Sequence, residues 1–173
     1  QPSGQGHETS FAQVAAEWLG VPVAQIRIVL GDTNIVNVGG GSHSGRSMRM
    51  ASTVIVKAAD ALIAKGKRLA ANVLEAAETD IDFTEGRFFV TGTDRCLSIF
   101  ELAAAAPDSD PLSAVENNEM HTPVFPNGCH VCEVEVDPET GYLEIQRYTA
   151  IDDVGRAINP LIVDGQTHGG IAQ

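Results

Sequence analysis

The stretch Val38-Gly39-Gly40-Gly41-Ser42-His43-Ser44-Gly45-Arg46-Ser47-Met48-Arg49-Met50 has residue types suited to one kind of chemistry, the capture of an anion by main-chain donors. Its four glycines and three serines leave a backbone with few Cβ restraints and many N–H groups free to close on a ligand. Arg46 adds a planar cationic fork that matches phosphate geometry. A second loop of this kind opens the chain as Gln1-Pro2-Ser3-Gly4-Gln5-Gly6-His7-Glu8-Thr9-Ser10. Each loop contains a histidine, His7 or His43, able to donate a hydrogen bond to a phosphate or ring oxygen.

Two helices must aim these loops. After the first loop, Phe11, Val14, Ala15, Trp18 and Leu19 recur at three- and four-residue steps, which predicts a helix closed by Gly20. After the second, Ala51, Val54, Ala58, Leu62, Leu69 and Val73 predict a long helix from about Ser47 to about Ala77, with Gly66 as a weak point. A helix start offers unpaired N–H groups and the positive end of the dipole, so the loops read as two halves of one anion-binding pocket. Between them, residues 25–30 predict a strand that leaves through Gly31-Asp32-Thr33.

The rest of the chain supplies further scaffold. Ile81-Asp82-Phe83 and Phe88-Phe89-Val90 flank Glu85-Gly86 and predict a hairpin. Ser98 and Glu101 form a capping box for a short helix, and the proline-rich residues 107–127 predict an exposed irregular loop. His130 to Val136 alternates Cys132, Val134 and Val136 with Glu133 and Glu135, which predicts a strand buried on one face. Asp137 to Gly141 turns the chain into a partner strand, Tyr142 to Ile151, followed by a loop at Asp152-Asp153-Val154-Gly155. Asn159-Pro160 then starts a helix. The expected class is α+β, helices on mixed or antiparallel strands, in two lobes. Residues 1–78 hold the glycine loops, the strand and the long helix; residues 79–173 form a second α+β lobe.

Composition limits the partners. A hydrophobic content of 43% in 173 residues is that of a globular core, and a net charge of -12 excludes a broad nucleic-acid or anionic-membrane surface. The anion site must be local. No run is long enough to span a bilayer, nothing at the start reads as a signal peptide, and three cysteines favour a reducing, cytoplasmic compartment. The chain opens on glutamine and stops inside a helix, so it reads as an internal piece of a longer protein.

Other motifs carry less. Cys129 and Cys132 lie three apart in a strand, where their sulfurs point to opposite faces and cannot share a zinc. His7, His43, His121, His130 and His168 have no metal-ligand spacing. Gly4-Gln5-Gly6 lacks the third glycine of a dinucleotide fingerprint, with Thr9 in its place. Asp152 and Asp153 read as structural turn residues.

Taken together, Ser3-Gly4-Gln5-Gly6-His7-Glu8-Thr9, Leu19-Gly20-Val21-Pro22, Gly31-Asp32-Thr33, residues 39–47, Asp152-Asp153-Val154-Gly155-Arg156-Ala157-Ile158-Asn159-Pro160 and residues 164–173 resemble the molybdenum hydroxylases. This is the xanthine dehydrogenase and aldehyde oxidase superfamily, and the likeness is greatest to the large subunits of its bacterial carbon monoxide dehydrogenase-like members. The resemblance implies a molybdopterin-binding segment of an oxidoreductase that hydroxylates carbon monoxide, an aldehyde or an N-heterocycle with water. It implies a molybdenum cofactor in a cytosine dinucleotide form, with iron–sulfur and flavin centres on partner subunits.

Residue by residue, the resemblance assigns Gln5, Gly6 and His7 to the first cofactor loop and Ser44, Gly45, Arg46 and Ser47 to the second. The Ser44 main-chain N–H would lie near molybdenum, and Gln166 or Gln173 would make a third contact. The second loop departs from the commoner family form at Gly45 and Met48, where hydroxyl side chains are missing. The family's glutamate base falls beyond Gln173 and its substrate loop upstream, so no catalytic residue is expected here and residues 1–173 alone are expected to be inert. The rival reading is a non-catalytic carrier module for a pterin or nucleotide.

Overall fold

The computed structural model describes residues 1–173. Its helices are α1 (His7–Leu19), α2 (Arg46–Val73), α3 (Ile99–Ala105) and α4 (Pro160–Ala172). One antiparallel sheet pairs β1 (Ile81–Thr84), β2 (Arg87–Val90) and β3 (Cys96–Ser98) in that order; a separate hairpin pairs β4 (Asn127–Val136) with β5 (Leu143–Asp153). The class is α+β, with every pairing antiparallel.

The helix ends follow from local chemistry. Gly20 adopts a left-handed φ of 63° and closes α1 with its N–H on the Ala16 carbonyl. α2 stops at Val73, short of the expected Ala77, because Glu75 turns left-handed (φ 50°) and the Ala76 N–H reaches the Ala71 carbonyl at 3.0 Å. That bond satisfies an orphan carbonyl of the last turn. Ser98 and Glu101 make both halves of the capping box on α3. Asn159 caps α4 by accepting from the Ile162 N–H at 3.2 Å, with Pro160 in the first turn.

The main core forms where the C-terminal half of α2 crosses the small sheet and α3. Leu69, Ala70 and Ala71 pack with Ile81, Phe88, Val90, Ile99 and Leu102. The boundary expected near residue 78 therefore falls inside one core. Gly66, read from sequence as a weak point, is a close-packing site: a Cβ there would lie 2.2 Å from the Phe88 ring. The β1–β2 turn, with Glu85 and Gly86 at φ 46° and 72°, lies against the end of α1, so closely that a Cβ on Gly20 would meet the Glu85 Cα at 2.5 Å.

Three expectations are corrected and one is extended. Residues 25–30 form no strand: a 3-10 turn at Val23–Gln25 leads into extended backbone that no other segment of the chain pairs with. Residues 107–126 are irregular and largely exposed, as expected, and they are also tied down as a strap. Asp110 bridges Lys65 and Arg68 of α2, Asn118 accepts from Lys57, the Thr122 carbonyl accepts from Arg49, and Pro126 lies beside Gly45. The strap thus runs antiparallel along α2, held by its basic side chains. The β4–β5 hairpin, expected to be buried on one face, is exposed on both, since no element of the chain covers the side bearing Val134, Val136, Leu143 and Ile145. Finally, Asp152 and Asp153 belong to β5, where they pair with Gly128 and Asn127.

Candidate functional site

The two glycine loops meet. His7 Nδ1 lies 3.1 Å from Ser42 Oγ, and the Ser42 N–H donates to the Gln1 carbonyl at 3.1 Å. Farther along, Trp18 Nε1 donates to Asp60 at 2.7 Å. Residue 7 thus meets residue 42, just ahead of α2, and residue 18 meets residue 60 within it. The helices therefore run parallel, with both N-termini at the same end. Parallel helix dipoles side by side repel, and an anion at the shared positive end relieves that repulsion.

The caps leave this end open. The N-cap of α1 is Gly6 (φ 66°, ψ 31°) and that of α2 is Gly45 (φ 64°, ψ 7°), both left-handed and both without a side-chain cap. Most helix starts use a Ser, Thr, Asp or Asn side chain to occupy first-turn donors. Here the N–H groups of Gly6, His7 and Glu8, and those of Ser44, Gly45 and Ser47, have no acceptor within the chain. Ser44 is itself left-handed, at φ 56°. Two consecutive left-handed residues entering a helix turn successive N–H groups toward a common side, a concavity suited to an oxyanion.

His7 is the buried polar group of the junction, only 5% exposed and stacked on Phe11 with ring centroids 4.7 Å apart. Burial, chiefly, holds its pKa below the ordinary imidazole value, so the neutral ring is favoured. Its Nε2 makes no hydrogen bond within the chain, the ring's one bond being through Nδ1. Arg46 turns back on its own loop, donating to the Gly41 carbonyl at 2.9 Å and lying over Gly40. Ser44 Oγ pairs with His43 Nδ1 at 2.9 Å, and the Gln5 side chain accepts from the Ser3 N–H.

α4 touches the same corner by its first turn. Asn159 Nδ2 donates to Gln13 of α1 at 2.9 Å, and Ile162 packs so close to Gly6 that a Cβ there would meet its Cδ1 at 2.9 Å. Gln166 lies exposed in the middle of α4 and Gln173 caps its far end, with no hydrogen bond from either to the loops. The structure thus brings together Gly6, His7 and the residues 42–46, and makes no hydrogen bond from Gln166 or Gln173 to them. Sequence reasoning placed Ser42 in the second loop and Asn159 at a helix start without joining either to this corner, and missed Gln13 and Ile162. Asn159 was legible as a cap, while its second bond spans 146 positions and has no local signal.

A second polar cluster joins the hairpin to α4. His130 lies 3.0 Å from Tyr148 through Nδ1 and 3.0 Å from Asp152 through Nε2, and Thr167 donates to Asp152 at 3.0 Å. These bonds, from His130 first and Thr167 next, hold the Asp152 pKa below the ordinary carboxylate value. The adjoining cleft of about 510 Å³ is lined by Asp152, Asp153 and Asp164 among others. Three carboxylates in its lining make it unfit for an anionic ligand. Cys129 and Cys132 are unpaired thiols on the same hairpin, and no group of three potential ligands gathers to hold a metal ion.

Residues 1–173 match the family model of the molybdopterin cofactor-binding domain over their whole length. The chain belongs to that family. It is 36% identical to the carbon monoxide dehydrogenase large chain of Hydrogenophaga pseudoflava, an alignment covering 98% of this chain and 22% of that one. It is 39% identical to the 6-hydroxypseudooxynicotine dehydrogenase complex subunit gamma of Paenarthrobacter nicotinovorans, again over 98% of this chain and 22% of the relative. The solved carbon monoxide dehydrogenase from Oligotropha carboxidovorans superposes with a TM-score of 0.79 at 36% identity, over 96% of this chain and 22% of that structure. The chain therefore spans about a fifth of the length of these relatives. No helix in this molybdopterin-domain member is long and apolar enough to cross a membrane.

Proposed function

We propose that this chain grips the phosphate-bearing part of a molybdopterin cofactor, in its cytosine dinucleotide form, at the shared start of α1 and α2. The observation that carries this reading is the pair of parallel helices that begin side by side on left-handed glycines with their first-turn N–H groups open. Gly6, His7 and the flanking main chain would hold one side of the anion, and Ser44, Gly45 and Ser47 the other. Gln5 and Arg46, engaged with their own loops, would turn outward or brace the backbone. Gln166, or Gln173 from the far end of α4, would add a contact. The cofactor, when bound, supplies a molybdenum centre for two-electron oxidation, with the Ser44 main-chain N–H near the metal.

The chain's own contribution is electrostatic. Preorganised N–H donors neutralise the anion without reorganising, and the strap along α2 and the first turn of α4 keep both loops in place. We read the whole protein as the large subunit of a molybdenum hydroxylase that oxidises a small molecule with water and passes electrons to iron–sulfur and flavin subunits. The named activities of the relatives, on carbon monoxide and on a nicotine-derived compound, support that class. The three free thiols fit a cytoplasmic setting.

The test is metal analysis and mass spectrometry of the full-length protein, produced in a host that makes the cofactor and then released under denaturing conditions. One molybdenum and one pterin cytosine dinucleotide per subunit are expected, and Gly45→Val should abolish both. Folded wild-type protein containing neither would refute the reading.

A further inference from the structure

We infer that Ser42 is a positioning residue for His7: its hydroxyl donates to Nδ1 and so holds the imidazole as the Nε2–H form, presenting a neutral donor to the bound cofactor across the junction of the two loops. The inference rests on the proposed cofactor reading and adds to it a role for a residue to which the resemblance assigns no contact. Three observations carry it. The Ser42–His7 contact, at 3.1 Å, is a side-chain bond directly joining the two loops. The imidazole is 5% exposed and held flat on Phe11, so it cannot change partners by swinging into water. Its second nitrogen is left unpartnered at the open start of α1.

The chemistry then has one solution. A neutral imidazole has one N–H and one lone pair. The phosphate oxygens that this corner is proposed to grip accept hydrogen bonds and do not donate them, so toward them the N–H must sit on Nε2. Nδ1 is then an acceptor and its partner must donate. Ser42 meets that need, because its Oγ has no other partner and the hydroxyl proton rotates freely. The same bond settles which form is present before the ligand arrives, much as second-shell partners fix the tautomer of a metal-bound histidine. The charged groups acting on the ring are Glu8 beside it on α1 and the Gln1 amino group; the second loop meets it through Ser42, and α4 meets this corner through apolar Ile162. Of these, Glu8 favours protonation of His7 while burial and the amino group oppose it.

The direction of the Ser42–His7 bond can be read from the ring nitrogens. A 15N–1H correlation spectrum of histidine-labelled, full-length, cofactor-free protein distinguishes a protonated ring nitrogen from a bare one. With the rings neutral, the expected result at His7 is a protonated Nε2 and a bare Nδ1 that accepts a hydrogen bond, kept in Ser42→Thr and weakened in Ser42→Ala, with His121 and His168 unmoved as internal controls.

The second readout is cofactor retention in the loaded protein through exhaustive dialysis at neutral pH. Ser42→Ala is expected to lose the pterin roughly tenfold faster than wild type, the cost of one hydrogen bond to a charged group, and Ser42→Thr is expected to keep it. A protonated Nδ1 at His7 in the neutral wild-type protein, or wild-type retention in Ser42→Ala, would overturn the inference. Failure of the cofactor reading itself would look different, since the wild-type protein would then contain no pterin to lose.

Discussion

Gly66 lies in the middle of α2, where helix propensity alone favours alanine by about 1 kcal/mol. The tertiary structure reverses that preference. An added Cβ would lie 2.2 Å from Cζ of Phe88, 2.7 Å from Cε1 and 3.0 Å from Cε2. Phe88 is fully buried, tilted against Phe83 at a centroid distance of 4.6 Å and enclosed by Leu69, Val90 and Leu102, so the ring cannot withdraw without moving its neighbours. Overpacking of this kind costs about 1–3 kcal/mol, and contacts this short belong at the upper end. Subtracting the propensity gain leaves a net loss of about 2 kcal/mol for Gly66→Ala. Native-state hydrogen exchange over residues 81–90 should then speed up by roughly thirtyfold if those amides open with the core. In a Phe88→Leu background the interfering ring carbons are gone, and adding Gly66→Ala should be neutral or protective. The coupling between the two sites would be about 1–2 kcal/mol. Slower exchange in Gly66→Ala alone, or an equal penalty in both backgrounds, would refute the argument that Phe88 is what demands a glycine.

Two further predictions concern the site. Gly6 holds a left-handed φ of 66°, which costs an alanine about 1–2 kcal/mol and an asparagine less. Gly6→Ala should expose the first turn of α1 to faster exchange and Gly6→Asn should do so less; equal effects would mean that the Ile162 contact, rather than the dihedral, sets the requirement. Asp152 has a folded pKa below its ordinary 3.8, so the unfolded chain binds more protons as acid is added. Its contribution is present above pH 3.8 and fades as the pH falls through the folded value. Protection at the Thr167 end of the hairpin–α4 contact should weaken across that range, and Asp152→Asn should flatten the dependence; an unchanged acid profile in Asp152→Asn would sink the assignment.

Much of this chain is written locally. The capping box at Ser98, the Asn159-Pro160 start, the Glu85-Gly86 turn and the closure of α1 at Gly20 depend on neighbours within a few positions, and each stands in the structure as read. So do the two helix starts behind the glycine loops, because left-handed N-caps need glycine whatever surrounds them. Burial was not legible in the same way. The alternation of Cys132, Val134 and Val136 announces an amphipathic strand, but what covers its apolar side is a matter of packing, and nothing in this chain does so. Residues 25–30 have a strand's composition without a strand's partner, and a ladder needs both. Gly66 looks like a flaw in a helix until Phe88, far along the chain, is laid against it. For the site, residue types alone indicated an anion-binding pair of loops. Only the tertiary structure set α1 and α2 parallel with their positive ends together, brought Ser42 to His7 and seated the first turn of α4 against Gly6, because those contacts join residues that local rules do not relate.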